Sequence, residues 1–241
     1  MQAYIIEAPP VHANAVNYFS AALGFYRLGY FVERFKLSEF KRKVSEKVIS
    51  GKITNETPVF GGMESLQAVL PSYVGLPHYP EELKKYLYRQ IRICDISDVQ
   101  IGEFFKPRET QQKLFLPRVK DHSFQCELTL GKIPAGTQVL AAQAVKFVAE
   151  YRVYVLQGEV INICFYKGNP LAQANVEAIA HMVSATKHYA AAYGLDVGIL
   201  ETGETALVEL SDFCCLGNYG LKAIEYAKCI AERWHEVWQQ S

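Results

Sequence analysis

The sequence predicts an α+β fold, with a small α/β unit over residues 1–95 and a larger α+β domain over 96–241. Three observations predict it. Strand and helix signals alternate through the first part. The character changes after Asp95 to strands that read as antiparallel. Two X-Gly pairs, Gln157-Gly158 and Thr202-Gly203, each sit between apolar or alternating runs and mark hairpins. The 241 residues are 50% hydrophobic and 21% charged, a globular composition with room for one large or two modest domains.

The elements follow in order. Residues 14–26 read as a helix ending before Gly29, and Tyr30 to Phe35 as a strand. A short strand at Pro58-Val59-Phe60 precedes Gly61-Gly62 and a helix through Val69. Tyr79-Pro80-Glu81-Glu82 is a helix start, with Pro at the first position and acids at the positive end of the dipole; that helix is expected to reach Arg89. Gly102 to Pro107 reads as a strand stopped by its proline. Residues 139–166 are rich in strand, with Tyr151–Leu156 and Glu159–Tyr166 joined at Gln157-Gly158. A helix is expected over 172–193, then the second hairpin, then a final helix carrying Leu221, Ile224, Ala227, Ile230 and Trp234 on one side.

Formal net charge is zero, so no basic excess points to nucleic acid or a membrane surface. No signal-peptide pattern opens the chain and no apolar run is long enough to span a bilayer. The six cysteines lack C-x-x-C spacing and read as free thiols. A cytoplasmic protein is expected. Walker, dinucleotide-binding, H-E-x-x-H and G-x-S-x-G motifs are absent. His181 and His188, seven apart on the expected helix, read as surface or capping residues rather than metal ligands.

The chemistry gathers at the two hairpins. Closing a two-residue turn at Thr202-Gly203 pairs Leu200 with Thr205, Gly198 with Leu207 and Asp196 with Glu209. Two carboxylates directly opposite on one face repel unless a cation lies between them. A divalent metal is one reading; a solvated edge pair is the other. Glu201 and Glu204 sit at the turn, where water screens them. The first hairpin places Glu150, Arg152, Tyr154, Ile161, Ile163 and Phe165 on one face. Arg152 there needs a partner, either Glu150 in a structural pair or a bound phosphate. Lys106 ends a strand after two phenylalanines, where it suits a phosphate or a sheet edge. Lys113 and Lys167 repeat that pattern more weakly.

Taken in order, these pieces resemble the ATP-grasp superfamily, in particular its subfamily named for two arginines and a lysine. Phe104-Phe105-Lys106-Pro107 is similar to the phosphate-binding lysine strand, and Val139 to Val145 to the strand leading into the adenine hinge. Glu150-Tyr151-Arg152 followed by Gly158-Glu159-Val160 resembles the acid-x-Arg hairpin. Asp196 and Val208-Glu209-Leu210-Ser211-Asp212 resemble the two acidic metal stations, and Leu216-Gly217-Asn218-Tyr219-Gly220 the tail that follows. The likeness covers roughly residues 100 to 222, with Tyr79 to Arg89 similar to the segment upstream.

The resemblance implies two α+β subdomains clamping ATP, with Mg²⁺ on its phosphates and an α/β domain in front. Lys106 and Arg152 would be catalytic and hold phosphates, joined by Lys167. Gln143, Ala144 and Val145 would line the adenine site. Asp196, Glu209 and Ser211 would ligate Mg²⁺, and Arg89, in preference to Arg118, would be the second signature arginine and meet substrate. Arg27 and Arg92 are further candidates for a substrate carboxylate. The reaction implied is carboxylate–amine ligation through an acyl phosphate, with a nucleotide-binding module or a phosphotransferase as alternatives. The acceptor and the oligomeric state are not legible.

One departure stands out. The family places Asn two residues after the second acid, and this chain has Ser211 there. Alternation keeps Ser211 on the Glu209 face and turns Asp212 the other way unless a bulge intervenes.

Overall fold

The computed structural model describes residues 1–7, 15–108 and 115–241; Lys113 lies outside them. The described chain divides into two compact units, residues 1–86 with 148–241, and residues 87–147.

The first unit opens with β1 (Gln2–Glu7), α1 (Ala15–Arg27), β2 (Phe31–Lys36), α2 (Leu37–Ser45), β3 (Val59–Phe60) and α3 (Met63–Val69). Its parallel sheet runs β2-β1-β3, with Tyr4 opposite Glu33 and Val59. Both sheet faces are covered, as a parallel sheet requires. Ala3 and Ile5 pack with Phe25, Phe60 and Tyr226 on one side. Tyr4 and Ile6 pack with Phe35, Phe40 and Trp234 on the other. β1 carries no punctuation in the sequence and is not among the expected elements; its four central residues, Ala3, Tyr4, Ile5 and Ile6, are all buried.

The same unit holds β8 (Phe147–Leu156), β9 (Glu159–Gly168), α5 (Val176–Thr186), β10 (Ala192–Leu200), β11 (Thr205–Asp212) and α6 (Ala223–Gln240). Its antiparallel sheet has the order β11-β10-β8-β9. The α6 helix lies against α1, and Gly24 permits this: a Cβ there would fall 1.9 Å from the Ala223 carbonyl oxygen.

The second unit contains β4 (Ile91–Asp95), β5 (Glu103–Pro107), β6 (Arg118–Val119), α4 (Phe124–Leu130) and β7 (Gln138–Gln143). Its antiparallel sheet, in the order β4-β7-β5-β6, sets Phe105 and Ala141 into a core with Phe115, Cys126 and Ile133.

Three local expectations change. The helix from Tyr79 to Arg89 is a 3₁₀ segment, Glu81–Tyr86; Tyr88 turns the chain at φ +51° and β4 follows. The helix over 172–193 stops at Thr186. Its alanine-rich end, residues 190–192, favours helix locally, but Ala192 starts a central strand buried on both faces, and that burial outweighs propensity. In the second hairpin the loop is longer than two residues: Leu200 N donates to Glu204 O at 2.9 Å, and Ile199 pairs with Thr205. A bulge then gives β11 one extra residue, Val208, and restores Asp196 opposite Glu209.

Candidate active site: an acid pair held by a buried arginine

The Gln157-Gly158 turn forms as expected, both residues at positive φ (+50° and +81°), the requirement of a tight hairpin turn. The β8 strand alternates regularly, but β9 bulges twice, pairing Tyr154 with Asn162, Arg152 with Cys164 and Glu150 with Lys167. Ile163 and Phe165 therefore lie across from Val153 and Tyr151 rather than beside Arg152. The expected apolar surround of Arg152 is replaced by polar groups.

Arg152 is 6% exposed. Its partner is Asp196, not Glu150. Nε donates to Oδ1 at 2.7 Å and Nη2 to Oδ2 at 2.6 Å, while Nη1 donates to the Gly217 carbonyl at 2.8 Å. The guanidinium lies over the Tyr219 ring, 4.4 Å from its centroid. Glu150, also buried, accepts from the Tyr166 hydroxyl at 2.9 Å and from Lys167 Nζ at 2.5 Å. Lys167 is otherwise open to solvent, its side chain 70% exposed.

Asp196 is 4% exposed and faces Glu209 across the β10–β11 pair. Burial pushes its proton affinity up; the two bonds from Arg152 oppose that, and Glu209 and Glu150 add to it. Burial acts to lower that of Arg152, and Asp196 outweighs it, so the guanidinium stays charged. Three carboxylates thus gather near one buried arginine and one exposed lysine, a setting that suits a further cation.

Glu209 also meets His78, which local sequence patterns do not announce, and Ser211, which alternation places on its face. His78 Nδ1 is 3.6 Å from its Oε2 and 3.2 Å from the Leu210 carbonyl. The His78 carbonyl accepts from Leu210 N at 2.8 Å, which seats the 78–80 segment along β11. Ser211 Oγ lies 3.4 Å from Glu209 Oε1, so Ser211 shares the Glu209 face. Asp212 turns the other way. It accepts from Arg233 Nε at 3.1 Å and Nη2 at 2.7 Å, and from the Tyr73 hydroxyl at 2.5 Å. The bulge precedes Glu209, so alternation through 209–212 is intact.

Among the described residues no group of three or more His, Cys, Asp or Glu side chains converges on one metal-sized point. Two carboxylates and a hydroxyl are nevertheless hard oxygen donors that suit Mg²⁺, which keeps water or phosphate oxygens in the rest of its shell. The donor set fits that ion.

The second unit carries the other expected residues. Lys106, on β5 beside Phe105, is 4% exposed and sits opposite Leu140; a lysine this buried is an unusual feature. Gln143 ends β7 opposite Glu103, and Ala144 and Val145 follow it outside regular structure, the first exposed and the second half-buried. Arg89 Nη1 donates to the Leu87 carbonyl at 3.0 Å and its guanidinium lies 5.7 Å from the Phe147 ring. Arg118 is tied to the Gln125 carbonyl and Thr129, and Arg92 to Glu103. In the first unit, Arg27 is exposed at the end of α1, and His188 lies on the surface, 3.7 Å from Glu82.

This fold is that of the ATP-grasp proteins. Residues 86–229 match the model of an ATP-grasp domain family, described as family 2 of its clade, and the chain belongs to that family. Among solved structures, D-alanine–D-alanine ligase from Bacillus anthracis, complexed with ATP, is similar with a TM-score of 0.62 and 12% identity, over 100% of this chain and 99% of that one. An L-amino acid ligase from Bacillus licheniformis gives 0.59 and 13%, over 97% and 75%. N5-carboxyaminoimidazole ribonucleotide synthetase from Thermotoga maritima gives 0.54 and 12%, over 96% and 76%. At these identities the likeness is one of fold. No curated protein matches the chain in sequence. No helix among the described residues is long and apolar enough to cross a membrane.

Proposed function

We propose that the protein is an ATP-dependent ligase joining a carboxylate to an amine through an acyl phosphate. The observation that supports it most is the buried Asp196, facing Glu209 and gripped by Arg152, in a chain of the ATP-grasp family. The ligase names of the structural neighbours agree with the reading. Phosphoryl transfer needs positioning and charge neutralisation more than covalent chemistry, and lysine, arginine and paired acids provide both.

In this reading Asp196, Glu209 and Ser211 hold Mg²⁺, which when bound neutralises phosphate charge. Lys106 and Lys167 meet phosphates as point charges. Arg152 keeps Asp196 aligned and turns its remaining N–H groups toward a phosphate oxygen. Gln143, Ala144 and Val145 border the adenine, and Arg89 receives the substrate carboxylate. Lys106, Arg152 and Arg89 are then the signature lysine and two arginines of the subfamily. Residues 1–95 form the N-terminal domain and 96–241 the ATP-grasp domain. The attacking carboxylate displaces ADP from the γ-phosphorus, and the amine then displaces phosphate from the acyl carbon.

A second reading, a nucleotide-binding module without turnover, is favoured by one observation: Ser211 stands where the family places Asn in the metal site. Calorimetric titration of a non-hydrolysable ATP analogue with Mg²⁺, on wild type and Lys106→Ala, tests the nucleotide site. Binding lost in the variant is expected, and absence of binding to wild type overturns both readings. Hydroxylamine trapping of an acyl phosphate then separates the ligase from a phosphotransferase, and steady ATP consumption separates either from the module.

A further inference from the structure

Beyond the acids and Arg152, the first unit holds one half-exposed aromatic residue in an unusually constrained place. Tyr219 is 39% exposed, yet the loop that carries it is bonded at almost every residue. Asn218 Oδ1 accepts from Gly220 N at 3.1 Å and Leu221 N at 2.8 Å, and its Nδ2 donates to the Leu221 carbonyl at 2.9 Å. Asn218 N donates to Asn17 Oδ1 at 2.9 Å, and Tyr219 N to the Tyr154 hydroxyl at 2.7 Å. Gly220 closes the loop at φ +107°, a conformation side chains disfavour.

What this loop presents is a seat for one guanidinium. The Gly217 carbonyl takes Arg152 Nη1, and the face of the Tyr219 ring lies under the Cζ of the same group, 4.4 Å from the ring centroid. The far edge of that guanidinium carries the two bonds to Asp196. Tyr219 itself is backed by Tyr166, stacked at 4.6 Å and 21°, whose hydroxyl is bonded to Glu150. Arginine is suited to this double engagement because its planar fork bonds in-plane and stacks out of plane.

We propose that Tyr219 is a positioning residue, whose ring fixes the plane of Arg152 and through it the orientation of the Asp196 carboxylate toward the metal. The proposal rests on the function proposed above for Asp196, but its first test does not. In the metal-free and nucleotide-free protein, the Arg152 Nε–H resonance is expected to be displaced by the Tyr219 ring current and to exchange slowly with solvent. The displacement should vanish in Tyr219→Leu and persist in Tyr219→Phe. An Arg152 Nε–H at the same position in wild type and folded Tyr219→Leu overturns the proposal.

The second test reads the consequence. For an ATP analogue with Mg²⁺, Tyr219→Leu is expected to weaken affinity about tenfold, the scale of a desolvated cation–π contact. Tyr219→Phe should stay within about twofold. Tyr166→Leu removes the backing ring but not the one against Arg152, and should lose less than Tyr219→Leu. Equal losses in the two leucine variants, or a phenylalanine variant as impaired as leucine, overturn the positioning role. If wild type binds no nucleotide, the functional reading fails and the resonance test still decides the geometry.

Discussion

Arg152 and Asp196 meet through two parallel hydrogen bonds, 2.7 and 2.6 Å long, inside the antiparallel sheet, with Glu209 directly across from the acid. Breaking such a buried pair leaves one charge uncompensated, whereas replacing both members by apolar groups is often close to neutral. Arg152→Met and Asp196→Leu are each expected to cost about 3–5 kcal/mol, and the double variant much less than their sum. Urea denaturation of the four proteins measures this; additive losses would show that the two side chains do not depend on each other.

Glu209 differs from Asp196 in being partly open to solvent, its side chain 29% exposed against 5%. Glu209→Gln should therefore leave the urea midpoint nearly unchanged, within about 0.5 kcal/mol, while removing Mg²⁺-dependent binding of an ATP analogue. Unchanged nucleotide affinity in that variant would remove Glu209 from the metal site.

Asp212 predicts the opposite pattern. Its oxygens are used by Arg233 and Tyr73, so Asp212→Ala takes two bonds from a buried arginine, leaving it Glu236, and should cost about 3 kcal/mol. The fraction that remains folded should bind Mg²⁺ and the ATP analogue as wild type does. Loss of affinity in the folded fraction would make Asp212 a ligand after all.

Tyr154 provides a pH test. Burial raises its phenol to about 12, against the opposing effects of the Tyr219 N–H and of Arg152. A folded-state value above the ordinary one of about 10 means that the native state favours the neutral form. The stabilisation is complete below about pH 10 and is lost as pH rises toward about 12. Phenolate absorbance should accordingly rise in two stages, exposed tyrosines first and the buried ones together with loss of native circular dichroism. One smooth rise centred near pH 10, with structure retained, would contradict the burial of Tyr154.

The residues most legible in the chain are those whose local pattern and final role coincide. The Gln157-Gly158 turn and the strand ending at Pro107 follow from nearest-neighbour chemistry. The Asp196–Glu209 opposition, also expected, holds for a reason not visible in the chain. The loop at Thr202-Gly203 is longer than a two-residue turn, and the bulge at Val208 shifts β11 back by the same amount.

Arg152's need for a partner is likewise legible, because a guanidinium among apolar strand residues requires one. Its choice of Asp196 over Glu150 is not. That choice depends on β10 lying beside β8, 44 positions away in the chain, and on the two bulges that bring Lys167 and Tyr166 to Glu150. His78 and Tyr219 reach the site the same way, from segments with no periodicity to mark them. Turn chemistry, alternation and the spacing of charges are properties of neighbouring residues, so the amino-acid order alone determined the hairpins and the identity of the charged groups. Which charge meets which is decided by strand order and register, and these follow from burying apolar faces that lie far apart along the chain.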